Sequence, residues 1–176
     1  MIVWVNGTFG AGKTTTARLV ADLSPDLRLF DPESVGFMLR PNLADHPVRD
    51  FRDWPSWRIL TPIVADEMVR FSRQSLVAPQ TVLEEPYWNE LVTGLSDRGH
   101  QVLHVLLDAD EPALRARIEG DEQLAVARQG RLDHLPRYAE ARRWMSQRAD
   151  LVIDTTDMTP ERAAALVWDA AQTRLS

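Results

Sequence analysis

Residues Gly7-Thr8-Phe9-Gly10-Ala11-Gly12-Lys13-Thr14 constrain this chain more than any other feature. They fit the spacing G-x-x-x-x-G-K-[ST], with the apolar run Ile2 to Asn6 before them and a helical pattern from about Lys13 to Leu23 after them. Gly7, Gly10 and Gly12 permit backbone conformations that side chains forbid, so successive N–H groups from Thr8 to Thr15 can converge on an anion. The helix that starts near Lys13 adds its positive N-terminal end. In a loop of this kind the Lys13 ammonium reaches the β and γ phosphates of ATP, and the Thr14 hydroxyl ligates Mg²⁺. A strand, a glycine loop and a helix in this order belong to an α/β fold.

The basic residues sharpen that reading. Of 20 Lys and Arg residues 19 are Arg, and the only lysine is Lys13, at the one position where the motif demands a point charge. A guanine-reading Asn-Lys-x-Asp box needs a second lysine, which excludes a G-domain switch. Large ATPase modules need more chain than 176 residues, so a compact kinase fits the length best.

Acidic residues exceed basic ones, giving a net charge of −6, which argues against duplex nucleic acid and anionic membrane surfaces as partners. There is no Cys, so disulfides, thiolate metal sites and cysteine nucleophiles are excluded. No apolar run approaches the roughly 18–20 residues of a membrane span. No basic segment precedes an apolar stretch at the N-terminus, as a signal peptide would require. The expectation is one cytoplasmic domain over residues 1–176, a monomer or a homodimer.

Short apolar runs alternate with helical patterns along the chain, which predicts βαβ units and a parallel sheet. The predicted strands are Ile2 to Asn6, Leu27 to Phe30, Thr81 to Glu84, Val102 to Leu107 and Leu151 to Asp154. A long helix is expected from Pro55 to Ser75, kinked or broken at Pro62. Residues 119 to 136 are of mixed polarity and hold Gly120, Gly130 and Pro136.

The chain resembles the P-loop kinases of the nucleoside and shikimate type, and more narrowly the tunicamycin resistance family. The residues that carry the likeness are Trp4 to Thr15, then Phe30-Asp31-Pro32-Glu33-Ser34-Val35-Gly36, His134-Leu135-Pro136-Arg137-Tyr138, and Val152-Ile153-Asp154-Thr155. The resemblance implies a three-layer α/β/α fold with a five-stranded parallel sheet in the order 2-3-1-4-5 and a helical lid near residues 119–136. It implies transfer of the γ-phosphoryl group of ATP, with Mg²⁺, to a hydroxyl of a small molecule such as a nucleoside antibiotic. The alternative is a protein that binds ATP and sequesters the drug unmodified.

The resemblance also assigns roles. Asp31 would orient and deprotonate the acceptor hydroxyl, although Asp31-Pro32 equally reads as a helix cap followed by proline. Glu84 or Glu85 would hold Mg²⁺ with Thr14, and Asp108 is a rival at the end of the fourth strand. Arg117 would cover the adenine, Arg128 and Arg131 would neutralise the moving phosphoryl group, and Thr155 to Met158 would wrap the base. Asp121 stands where many nucleotide kinases carry a second Arg, a departure from the nucleoside-monophosphate kinases. Tyr87, Trp88, Trp54 and Trp57 are candidates for the wall of an apolar acceptor pocket.

Overall fold

The computed structural model describes residues 1–175. Five strands, β1 (Ile2–Asn6), β2 (Leu27–Leu29), β3 (Ser75–Pro79), β4 (Val102–Asp108) and β5 (Leu151–Asp154), form one sheet in the order β2-β3-β1-β4-β5. Every pairing is parallel. This is the order the resemblance implied. The helices are α1 (Lys13–Asp22), α2 (Glu33–Asn42), α3 (Pro55–Ser72), α4 (Glu85–Ser96), α5 (Glu111–Glu119), α6 (Arg128–Leu132), α7 (Leu135–Arg148) and α8 (Pro160–Leu175).

All five side chains of β1 are buried, as the middle strand of a sheet covered on both faces requires. Their alternation splits the core in two. Val3 and Val5 point into a cluster with Ala17 and Val20 of α1 and Ala163 and Val167 of α8. Ile2 and Trp4 point the other way, toward Trp57 and Ala65 of α3 and Leu91 and Leu95 of α4. The loops that follow the C-terminal strand ends therefore gather along one edge of the molecule, where ligands of open α/β sheets bind.

The third strand departs from expectation. It is Ser75–Pro79, not Thr81 to Glu84, and α3 stops at Ser72 rather than Ser75. The helix is closed by Arg73, which adopts the left-handed conformation (φ 59°) usually left to glycine. Nothing in the residue type marks that stop. Thr81 and Val82 lie past the end of the strand and bond to Gly7 and Asn6 at the glycine loop instead of joining the sheet. Pro62 does not break α3, which runs unbroken for 18 residues. Its ring fits against α4 at Gly94, where an added Cβ would lie 2.9 Å from Pro62 Cγ. Among the described residues no helix is long and apolar enough to cross a membrane.

Candidate functional site

The loop between β1 and α1 has the backbone that its glycines require. Gly7, Gly10 and Gly12 take φ of 141°, 80° and 91°. At Gly7 a Cβ would fall 2.4 Å from the carbonyl oxygen of Leu107, so the loop lies directly on the end of β4. One buried amide fixes its start. Asn6 Oδ1 accepts from the N–H groups of Gly7 and Val82, both at 2.9 Å, and Asn6 Nδ2 donates to the Val82 carbonyl at 3.2 Å. The same Nδ2 faces His104 Nε2 at 3.4 Å, while His104 Nδ1 faces the Arg148 carbonyl at 3.1 Å. Burial depresses His104 to about 4, so its ring is neutral and can accept from the amide. Thr81 Oγ1 donates to the Gly7 carbonyl at 2.7 Å.

At the other end of the loop α1 begins at Lys13 with Gly12 as its cap residue. No side chain caps its first N–H groups, and its first turn holds no acidic residue. Those donors and the helix dipole are thus left for an anion. Thr8 Oγ1 is buried without a hydrogen-bond partner. Thr14 and Thr15 are exposed on the first turn, with the Thr14 hydroxyl at the motif's magnesium position.

Lys13 Nζ donates to the Thr8 carbonyl at 2.8 Å and lies 5.7 Å from the Phe9 ring centre. Phe9 also carries Arg131, 5.8 Å from its centre, and meets the His134 ring edge-on at 5.1 Å. The segment from α6 to the start of α7 therefore lies over the loop. Burial pulls Lys13 down to about 7, with Arg52 and Arg131 pushing the same way and Glu33 opposing. The Nε atoms of Arg128 and Arg131 are buried with no partner. Arg131 also donates to Asp121 Oδ2 at 2.8 Å, so the carboxylate standing in place of a second arginine is its ion-pair partner.

The Lys13 depression has a measurable sign. The empty folded protein binds fewer protons than the unfolded chain between about pH 7 and 10.5. The Lys13 penalty on stability is then full below pH 7 and fades as the pH rises through that window. Phosphate oxygens restore the charge. ATP binding at pH 8.5 should take up about one proton, read by calorimetry in two buffers of different ionisation enthalpy. Absence of uptake would mean that Lys13 is already charged in the empty loop.

A second cavity, about 150 Å³, opens on the far side of the loop between Gly10, Gly12, Arg117, Thr155, Met158 and Pro160. Arg117 donates to the carbonyls of Gly10 (3.2 Å), Thr155 (2.5 Å) and Thr156 (2.9 Å), forming a flat lid on the cavity. Thr155 Oγ1 donates to the Asp108 carbonyl at 2.9 Å and ties β5 to β4 there. Arg117, Thr155 and Met158, assigned to the nucleotide from the sequence, are thus brought together beside the loop.

The carboxylates fall differently from expectation. Asp31 is exposed, and its Oδ1 accepts from the Glu33 N–H at 3.0 Å, so it caps α2. Glu33, which the sequence reading passed over, is half-buried and its charge reaches Lys13. Burial lifts its carboxyl above the usual range, and Asp31 adds to the rise against Arg52 and Lys13. The signal available in the sequence was the spacing Asp31-Pro32-Glu33, which turns a second carboxylate from the same helix start. Glu84 precedes α4, outside the sheet, and its carboxylate is held by Arg137 at 2.8 Å; Glu85 is exposed in the first turn of α4. Thr14 keeps its hydroxyl exposed on the first turn of α1. The aromatic wall is also corrected. Trp54, Trp57 and Trp88 are core residues; Trp88 also edges a cavity beside His104 and Arg148, and Tyr87 lines the separate one beside Asp50 and Arg52.

Asp108 is structural. It is buried at the end of β4, where Oδ1 accepts from Tyr138 O–H at 2.5 Å and Oδ2 from Arg142 Nε at 2.8 Å. Asp108→Ala strands the Tyr138 hydroxyl and should cost about 2 kcal/mol of stability in the absence of any nucleotide, measured by urea unfolding. A metal ligand would give no such loss in the empty protein.

Residues 2–123 match the model of the AAA domain family, more than two thirds of the chain. The chain belongs to that family. The likeness to the tunicamycin resistance protein of Deinococcus radiodurans is 30% identity over 98% of this chain and 94% of that one, with a TM-score of 0.75. Two solved kinases share the fold at lower identity. The APS kinase of Mycobacterium tuberculosis, solved with AMPPNP and APS, is 20% identical over 97% of this chain and 96% of its own, at a TM-score of 0.67. A gluconokinase of Sinorhizobium meliloti is 16% identical over 98% and 94%, at 0.60. No curated protein matches the chain. The AAA domain family membership and the tunicamycin resistance likeness agree with a nucleotide-binding P-loop, kinase-like fold.

Proposed function

We propose that this protein is a small-molecule kinase that transfers the γ-phosphoryl group of ATP to a hydroxyl, with a nucleoside-type antibiotic as the favoured acceptor class. One observation carries the reading. Two cationic side chains, Lys13 and Arg131, stand over Phe9 beside an uncapped helix start, and a half-buried carboxyl, Glu33, stands within reach of the Lys13 charge. Plain nucleotide storage needs the cations but has no use for the carboxyl.

Glu33 takes the base role that the sequence assigned to Asp31. A carboxyl raised by burial is better matched to accepting a hydroxyl proton, whereas Asp31 is committed to capping α2. The acceptor oxygen attacks the γ-phosphorus as its proton passes to Glu33, and ADP leaves. Lys13 and the two arginines hold the phosphoryl oxygens in line and offset the charge that develops on them. The orphan donors and the glycine cradle fit a triphosphate, and Thr14 would hold Mg²⁺, which supplies further charge neutralisation on the β and γ oxygens when bound. Residues 119–136 act as the lid, because Arg128 and Arg131 are useful only when that segment lies over the loop.

The drug likeness comes from the tunicamycin resistance relative alone. The test is mass spectrometry of tunicamycin and other nucleosides after incubation with the protein, ATP and Mg²⁺, together with acceptor-stimulated ADP release. A gain of one phosphoryl group is expected. Drug retained by the protein yet unmodified would replace the kinase by sequestration.

A further inference from the structure

On the acceptor side of the glycine loop the floor of a cleft, with only about 20 Å³ of enclosed space, is lined by Asp50, Arg52, Asp53, Tyr87, His134 and Arg137. Arg52 closes it toward the loop, and its charge reaches both Lys13 and Glu33. A buried arginine in that position suits an anionic acceptor, since its planar fork binds carboxylate, sulfate or phosphate through two parallel hydrogen bonds. Here the fork is already filled. Arg52 Nε donates to Asp50 Oδ1 at 2.7 Å, a second nitrogen donates to Asp50 Oδ2, and the third donates to the Thr81 carbonyl at 2.7 Å. The two side chains are only 11% and 17% exposed, so the pair is removed from water. Asp50 is held in turn, since its Oδ1 accepts from the Arg52 N–H and its own N–H donates to Asp53.

The other charges of the cavity cancel in the same way. Arg137 is paired with Glu84, and Asp53 accepts from the Tyr87 hydroxyl at 3.3 Å. Three carboxylates therefore face two guanidinium groups, both of them engaged. Among the residues that line the cavity, the one buried polar side-chain atom without a partner is His134 Nδ1. Burial, Arg52 and Arg137 all lower its pKa, so it offers a neutral ring nitrogen. The unpartnered guanidinium nitrogens belong to Arg128 and Arg131, outside this cavity, and the unpartnered ring nitrogen within it to His134.

We propose that Asp50 is a specificity-determining residue whose carboxylate occupies the Arg52 fork in place of a substrate anion, restricting this site to uncharged acceptors that carry hydroxyl or amide groups. The proposal rests on the kinase reading for the identity of the cavity. Exclusion works through repulsion as much as through the loss of a partner, because an incoming anion meets Asp50 and Asp53 while Arg52 and Arg137 are already paired.

The experiment is calorimetric titration of the ADP- and Mg²⁺-loaded protein with two matched pairs, uridine against uridine monophosphate and glucose against gluconate. Loading keeps the anions out of the glycine loop. In the unaltered protein the anionic member should bind more weakly than its neutral partner, by about 10-fold or more, or not measurably. Asp50→Ser frees the Arg52 fork and should raise affinity for the anionic members by about 10-fold. Asp50→Asn removes the charge but keeps an oxygen to accept from the Arg52 N–H, so it serves if the serine variant unfolds. The proposal is overturned if the unaltered protein prefers the anionic member of either pair. It is equally overturned if folded, ADP-binding variants gain no affinity for anions. Acceptor-stimulated ADP release separates this result from the parent reading. New anion binding in the variants without transfer to any compound upholds Asp50 and removes the kinase. Transfer to an anionic acceptor by the unaltered protein keeps the kinase and removes the role of Asp50.

Discussion

Lys13→Ala abolishes nucleotide-dependent turnover, with an expected loss on the order of 10³-fold or more at saturating ATP. The variant should fold normally. Its melting temperature at pH 6 should not fall, because the ammonium it loses is one that burial disfavours in the empty loop. Lys13→Arg should be nearly as impaired. The single hydrogen bond from Nζ to the Thr8 carbonyl marks a space for a point charge, and a planar fork does not fit it. The readouts are acceptor-dependent ADP release and thermal unfolding at two pH values. Turnover that survives Lys13→Ala would remove the phosphoryl-transfer account altogether.

The second large effect is expected at Glu33. Glu33→Gln keeps shape and hydrogen bonding but cannot take a proton, so turnover should drop by about 10²–10⁴-fold with nucleotide affinity little changed. Asp31→Asn should lose far less, since Asn caps a helix about as well as Asp. Asp31→Ala removes the acceptor for the Glu33 N–H and should cost about 1 kcal/mol of stability. Comparing kcat, nucleotide affinity and melting temperature across the three separates base from cap. If Asp31→Asn proves as damaging as Glu33→Gln, Asp31 is the base and Glu33 its support.

The nucleotide half of the molecule is written locally in the sequence. Gly7, Gly10, Gly12, Lys13 and Thr14 sit on one continuous strand-loop-helix unit, so spacing alone determines their geometry. The sheet order followed from a resemblance and not from any local signal. The acceptor half is assembled from separate stretches, and there the sequence is poor in clues. The third strand was misplaced because Arg73, rather than a glycine, closes α3 in the left-handed conformation. That moved Glu84 onto a strand end where the structure has a helix start. The Arg52–Asp50 pair belongs to a short turn, Phe51–Asp53, and its cap residue Asp50, a stretch that looks like irregular polar chain until Thr81 and the glycine loop are seen behind it. The three tryptophans read as a pocket wall because aromatic residues serve cores and pockets alike, and only tertiary packing distinguishes the two.

Asn6 has one consequence for how such proteins diversify. Its amide binds both the first residue of the glycine loop and Val82, which lines the acceptor cavity, and His104 seals it from below. Nucleotide floor and acceptor floor are therefore a single riveted plate. Neither can be remodelled without disturbing the other. The side walls, the 50–53 turn and the start of α7, meet the plate through single side chains, Arg52 on Thr81 and His134 on Phe9. On the kinase reading, acceptor preference can drift by exchange of residues in those walls while the backbone of the glycine loop keeps its geometry.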